Sequence, residues 1–147
     1  MKITIQDCGD GEEEEIIIRC RNMDKQMLKT IYELEARREK ITVYKDDKIF
    51  QILPQDIYYF ESVDNRVFVY MAEEVYETRM KLYELEKSLL NTDFFRASKS
   101  TIINLANVKN LSPALAGRFE AHMKNGEALI ISRQYVQDLK RRLGLKN

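Results

Sequence analysis

The chain is poor in the residues from which reactive sites are usually built. Among 147 residues there are one histidine, two cysteines and no tryptophan. His122 has no second metal ligand at useful spacing, so no zinc site is expected. Cys8 and Cys20 are neither closely spaced nor near a histidine cluster, which fits free thiols in a cytoplasmic protein. Ser98, Ser100 and Ser132 have no base at any nucleophile-motif spacing. Gly9-Asp10-Gly11 lacks the following Gly-Lys-Ser/Thr of a phosphate-binding loop. No apolar run approaches the roughly 20 residues needed to cross a bilayer. Met1-Lys2-Ile3 leads into polar residues and an acidic run, unlike a signal peptide. These absences argue against an enzyme, a cofactor, a metal and a small-molecule substrate.

Net charge is also lacking, with 24 basic and 24 acidic residues, but the balance is uneven along the chain. Residues 1–40 hold 8 Lys/Arg against 10 Asp/Glu, and residues 41–94 hold 6 against 11. Residues 95–147 hold 10 against 3. The basic end therefore calls for an anionic partner. The overall neutrality argues against a coat protein that binds nucleic acid through bulk charge alone.

The length suits one domain with a small appendage. Ile3 and Ile5 alternate with polar neighbours, predicting a strand over Met1–Asp7; Ile16-Ile17-Ile18 predicts a second within Glu14–Arg21. Helical spacing follows from Asp24, a capping residue, to about Arg38. This β-β-α front, residues 1–40, reads as an accessory or dimerisation element. Residues 41–147 read as the main domain. There Ile41–Tyr44 and Ile49–Ile52 flank a hairpin signal, as do the aromatic arms Ile57–Glu61 and Val67–Met71 around Ser62–Arg66. Val75–Met80 predicts a further strand and Lys81–Leu90 a helix. Strands are expected at Ile102–Leu105, Val108–Leu111, Arg118–Lys124 and Ala128–Ile131, with Asn125-Gly126 as a two-residue turn. Ser132 is expected to cap a last helix whose apolar face is Val136, Leu139 and Leu143 and which stops at Gly144. The fold class is mainly β, α+β overall.

Two stretches suit an anion. Phe94–Asn104 places Arg96, Ser98, Lys99, Ser100 and Thr101 between apolar anchors, as fixed donors for phosphate oxygens and base edges. A polar strand edge between core residues carries a similar pattern. At Ser132-Arg133 a strand passes into a helix, whose first-turn amides and dipole favour an anion. An ordinary surface arginine at a helix start would look the same.

Together, Asp56–Ser62, then Phe94-Phe95-Arg96 with Ser98-Lys99-Ser100 and Asn104, then Ile131-Ser132-Arg133 before a short helix, resemble the LytTR DNA-binding domain of bacterial transcription regulators. The resemblance covers roughly residues 40 to 144. It implies an elongated stack of small antiparallel sheets with short helices. It also implies loops that enter successive major grooves of double-stranded DNA, and homodimers on direct repeats. By position, Asn65 and Arg66 match the first base-reading loop, Ser98 and Lys99 the second, and Arg133 the third. Arg96, Ser100 and Arg118 match phosphate- or loop-positioning groups, with Gln137 and Lys140 added from the outer side of the last helix. Ser98, Asn65 and Arg66 replace histidines familiar in relatives, which bears on the bases recognised. The front is no receiver domain, so the resemblance is to compact regulators often restrained by a small membrane protein. A rival reading is an interaction module whose basic C-terminal face meets an acidic protein. RNA binding would need exposed aromatics among basic residues, and few are present.

Overall fold

The computed structural model describes residues 1–145, with the side chains of residues 36–38 left out of the description. One helix, α1 (Lys25–Arg38), precedes the strands β1 (Ile41–Lys45), β2 (Lys48–Ile52), β3 (Ile57–Val63), β4 (Arg66–Met71) and β5 (Val75–Thr78). Then come α2 (Leu82–Ser88), β6 (Phe94–Arg96), β7 (Thr101–Asn104), β8 (Val108–Pro113), β9 (Phe119–Met123), β10 (Ala128–Ile131) and α3 (Arg133–Leu143). Seven strands form an antiparallel sheet in the order β2-β1-β5-β4-β3-β7-β6, and three form a second in the order β10-β9-β8. The mainly β, antiparallel architecture expected from the sequence is present.

Turn chemistry fixes the hairpins. Asp46 and Asp47 (φ 51° and 62°) close β1–β2, and Asp64 and Asn65 (φ 51° and 62°) close β3–β4. Two-residue hairpin turns need positive φ at both positions, and Asp and Asn tolerate it better than other side chains. The β3–β4 turn is therefore only Asp64-Asn65, tighter than the five-residue tip expected.

Strands β3, β7 and β6, at one end of the larger sheet, are covered on both faces. On one face Phe60, Phe94 and Ile102 pack with Leu82, Leu85 and Leu89 of the α2 region. On the other, Tyr59, Phe95, Ala97 and Ile103 pack with Ala121, Met123 and Ile131 of the second sheet and with Val136 and Leu139 of α3. Neighbouring residues thus face opposite cores, as the two-residue period of a strand requires. Each such Leu, Ile or Phe contributes about 1.5–3 kcal/mol by leaving water. Asn104 is buried among them. Its amide donates to the Ile57 carbonyl at 2.9 Å and its own carbonyl accepts from the Ala106 N–H at 3.1 Å.

The front departs from the β-β-α expectation. Residues 1–23 contain no strand, and only α1 forms, capped by Asp24, which accepts from the Met27 N–H at 2.8 Å. Ile3 and Ile5 are 83% and 88% exposed, and Ile16 and Ile17 are 71% and 67% exposed. The physical reason is that alternation makes a strand only where another edge supplies backbone partners. Here neither segment bonds to the other or to the main sheet, and Glu12–Glu15 between them repel.

Candidate nucleic-acid interface

The Phe94–Asn104 stretch becomes the β6–β7 hairpin, whose loop is Ala97–Ser100. Ala97 is fully buried, while Lys99 and Ser100 are exposed. The loop closes on itself: the Ala97 N–H donates to the Thr101 carbonyl at 2.9 Å, and the Ser100 N–H donates to Ser98 Oγ at 3.2 Å. Arg96 stiffens it from beneath. Its Nε donates to the Ser98 carbonyl at 2.7 Å and its Nη2 to the Lys99 carbonyl at 2.6 Å. Its Nη1 lies 3.5 Å from Glu86 Oε1. The planar guanidinium suits two acceptors at once. Arg96 is thus engaged with the loop.

Two main-chain bonds tie this loop to the other two candidate segments. On one side the Ser62 N–H, just before the Asp64-Asn65 turn, donates to the Ser100 carbonyl at 2.8 Å. On the other, the Ser132 N–H donates to the Ala97 carbonyl at 2.8 Å, and Ser132 Oγ donates to the same oxygen at 3.1 Å. Ser132 does sit at the start of α3, but its hydroxyl makes no cap bond to the helix. That corrects its expected capping role: the hydroxyl is drawn away because the Ala97 carbonyl lies within reach. The three segments picked from the sequence therefore stand in one row.

Within that row the side chains differ. Asn65 lies exposed at the turn, and Arg133 is exposed at the first position of α3. Neither Lys99 nor Arg133 has an ion-pair partner among the described residues. Arg66 is different. Its Nε and Nη2 donate to the two carboxylate oxygens of Glu77, on β5, at 2.8 and 2.7 Å, and its guanidinium lies 5.2 Å over the Phe68 ring. Hydrogen bonding from Arg66 holds the Glu77 carboxyl below its usual range, and Glu77 raises the Arg66 guanidinium.

The turn Leu115–Gly117 adjoins Arg133. Gly117 has φ +73°, and a Cβ built on it would lie 3.0 Å from Arg133 Cδ and 3.1 Å from Cγ. Arg118 is exposed, and its Nε donates to the Leu115 carbonyl at 3.1 Å. Gln137 is exposed on α3, while Lys140 Nζ sits 6.0 Å over the Phe119 ring. Arg142 seals the far end of α3. It donates to the Thr92 carbonyl at 2.8 Å and lies 5.6 Å over Phe95, and burial lowers its pKa. His122 is half-buried near Ser112 Oγ at 3.4 Å, and no group of metal-binding side chains occurs among the described residues. No helix among them is long and apolar enough to cross a membrane.

A family profile described as the LytTr DNA-binding domain matches residues 47–144. The chain belongs to the LytTR family. It is 27% identical over 138 residues to a sensory transduction protein LytT of Enterococcus faecalis, covering 91% of this chain and 57% of that one. It is 29% identical over 102 residues to an HTH-type transcriptional regulator of Staphylococcus aureus, covering 69% of each. A solved LytTr DNA-binding domain from Bacillus cereus superposes with a TM-score of 0.69 at 25% identity, covering 73% of this chain and 98% of that one. The chain spans about half the length of the LytT relatives, 57% in the Enterococcus case.

Several contributors had no sequence signal. Glu77 as the partner of Arg66 depends on strand pairing, whereas Ala97 as the acceptor for Ser132 and Gly117 beneath Arg133 depend on packing between segments distant in sequence. Only Gly117 carried a local hint, as a glycine in the loop before a strand.

Proposed function

We propose that the chain is a sequence-specific, DNA-binding regulator of transcription that reads successive major grooves with loops, as a dimer on direct repeats. The observation that carries this reading is the pair of main-chain bonds, Ser62 to Ser100 and Ser132 to Ala97, which lines up three polar loops. Asn65, Lys99 and Arg133 then present amide, ammonium and guanidinium groups to base edges, with Ser98 beside them. Arg96 and Ser100 hold the central loop, Arg118 holds the neighbouring turn, and Gln137 and Lys140 flank the phosphates along α3. Arg66 reaches DNA only by leaving Glu77. The acidic residues 1–94 turn the molecule so that its basic end approaches the duplex first. The reading places DNA recognition in residues 41–147 and gives residues 1–40, with their exposed isoleucines, to contact with the second copy.

The test begins by selecting duplexes from a random-sequence pool with the full chain. Fluorescence anisotropy then compares the selected duplex with its shuffled version across salt concentrations. A preference of at least about a hundredfold, with two copies per duplex, is expected. Equal, weak and steeply salt-dependent binding to both would overturn the reading.

A further inference from the structure

We infer that the Leu115–Gly117 turn is a fourth DNA-contacting element, in which Leu115 meets the 5-methyl group of a thymine adjacent to the base pair read by Arg133. The inference rests on the reading of Arg133 given above. Leu115 is 84% exposed, so its side chain contributes almost nothing to the core. A single exposed leucine is ordinary on a protein surface. What sets this one apart is the rigidity and position of its carrier. The turn is clamped at its base, where the Ala114 N–H donates to the Arg118 carbonyl at 2.8 Å. The Leu115 carbonyl accepts from both the Arg118 N–H at 3.3 Å and Arg118 Nε at 3.1 Å.

The backbone there is also committed. Ala116 holds φ 59° and Gly117 φ 73°, a left-handed pair that a non-glycine residue rarely joins. This conformation lays the Gly117 backbone against the stem of Arg133, so that a Cβ there would push the stem aside by a few tenths of an ångström. Leu115 is two residues away from that contact. Leu115 therefore rides on a rigid turn whose Gly117 packs on the stem of Arg133, and an apolar side chain carried there suits the one apolar group that the major groove offers, the thymine methyl. Gly117 in turn is a positioning residue, because it sets where the Arg133 stem rests.

The experiment uses the full chain and its selected duplex. Arg133→Ala first identifies the base pair whose discrimination depends on Arg133. Each thymine is then replaced by uracil, which removes only the methyl group. The expected result is a loss of about fourfold at a thymine next to that base pair, the weight of one buried methyl. Leu115→Ala should bind the thymine duplex about fourfold more weakly and the uracil duplex no worse than that. Gly117→Ala should reduce the discrimination that depends on Arg133 by a larger factor than it weakens binding to the shuffled duplex. If every uracil duplex binds like its parent, or if Leu115→Ala remains sensitive to uracil, Leu115 does not touch the methyl group and a protein contact becomes its use. A site with no thymine beside the Arg133 base pair has the same meaning. If Arg133→Ala leaves base discrimination intact, the reading of Arg133 itself fails.

Discussion

Replacing Arg96 by lysine keeps the charge but removes the fork. In the wild type, two guanidinium nitrogens hold the Ser98 and Lys99 carbonyls at 2.7 and 2.6 Å. A lysine ammonium on an unbranched stem cannot serve both in that geometry. At least one charge-assisted hydrogen bond is lost, a class worth about 1.5–3 kcal/mol. Lys99 is exposed, so water takes over its carbonyl and the lower end, about 1.5 kcal/mol, applies. If DNA must then re-order the loop, this cost appears in binding as about a tenfold rise in Kd. Anisotropy titrations of Arg96→Lys at several salt concentrations measure both affinity and salt slope. The slope should stay at the wild-type value, because no phosphate contact has been removed. Arg96→Met, which loses the charge, should also keep that slope. Wild-type affinity in Arg96→Lys would refute the fork. A slope lower by about 1 in Arg96→Met would show Arg96 neutralising a phosphate instead.

Other perturbations test neighbouring parts of the structure. Arg133→Ala should cost about 1–3 kcal/mol on the selected duplex and relax preference at one base pair, read by competition with single-base variants. Glu77→Gln should release Arg66, tightening DNA binding and steepening the salt slope, whereas unchanged binding would leave Arg66 outside the interface. Because Arg66 lowers the Glu77 pKa from its ordinary value of 4.5, the pair stabilises the fold above that value and the contribution is lost as pH falls below it. Urea unfolding across that acid range should therefore show a flatter decline for Glu77→Gln. Asn104→Ala should destabilise by about 2 kcal/mol, read as a lower urea midpoint at unchanged m. It strands the Ala106 N–H, while Asn107 continues to donate to the Ile57 carbonyl at 2.9 Å.

Local chemistry was legible in the sequence, and pairing across strands was not. The hairpins around Asp46-Asp47 and Asp64-Asn65 were expected from the polar residues at their tips, although the second turn is two residues long rather than five, because Asp and Asn tolerate the positive φ it needs. Phe94-Phe95 and Ile102-Ile103 read as anchors, although only the fold shows that each pair is split between two cores. Ile3, Ile5 and Ile16–Ile18 gave the opposite outcome: their pattern suits strands, but they pair with neither sheet. Arg66 and Ser132 were singled out in the sequence, yet their partners, Glu77 and the Ala97 carbonyl, lie 11 and 35 residues away. The first contact follows from strand register and the second from how the two sheets pack, and sequence periodicity leaves both open.

The bonds from Ser62 to Ser100 and from Ser132 to Ala97 join backbone to backbone, so side-chain replacement leaves their N–H and carbonyl groups in place. The distance between the three loops is thus a property of the main chain, like the gaps between teeth on a comb. On the proposed reading of the row, substitutions at Asn65, Ser98, Lys99 or Arg133 change which bases are preferred, while the intervals between those bases stay fixed. A duplex whose grooves do not match these intervals must flex to fit. Stiffness at positions the protein never touches would then help to decide which DNA it holds.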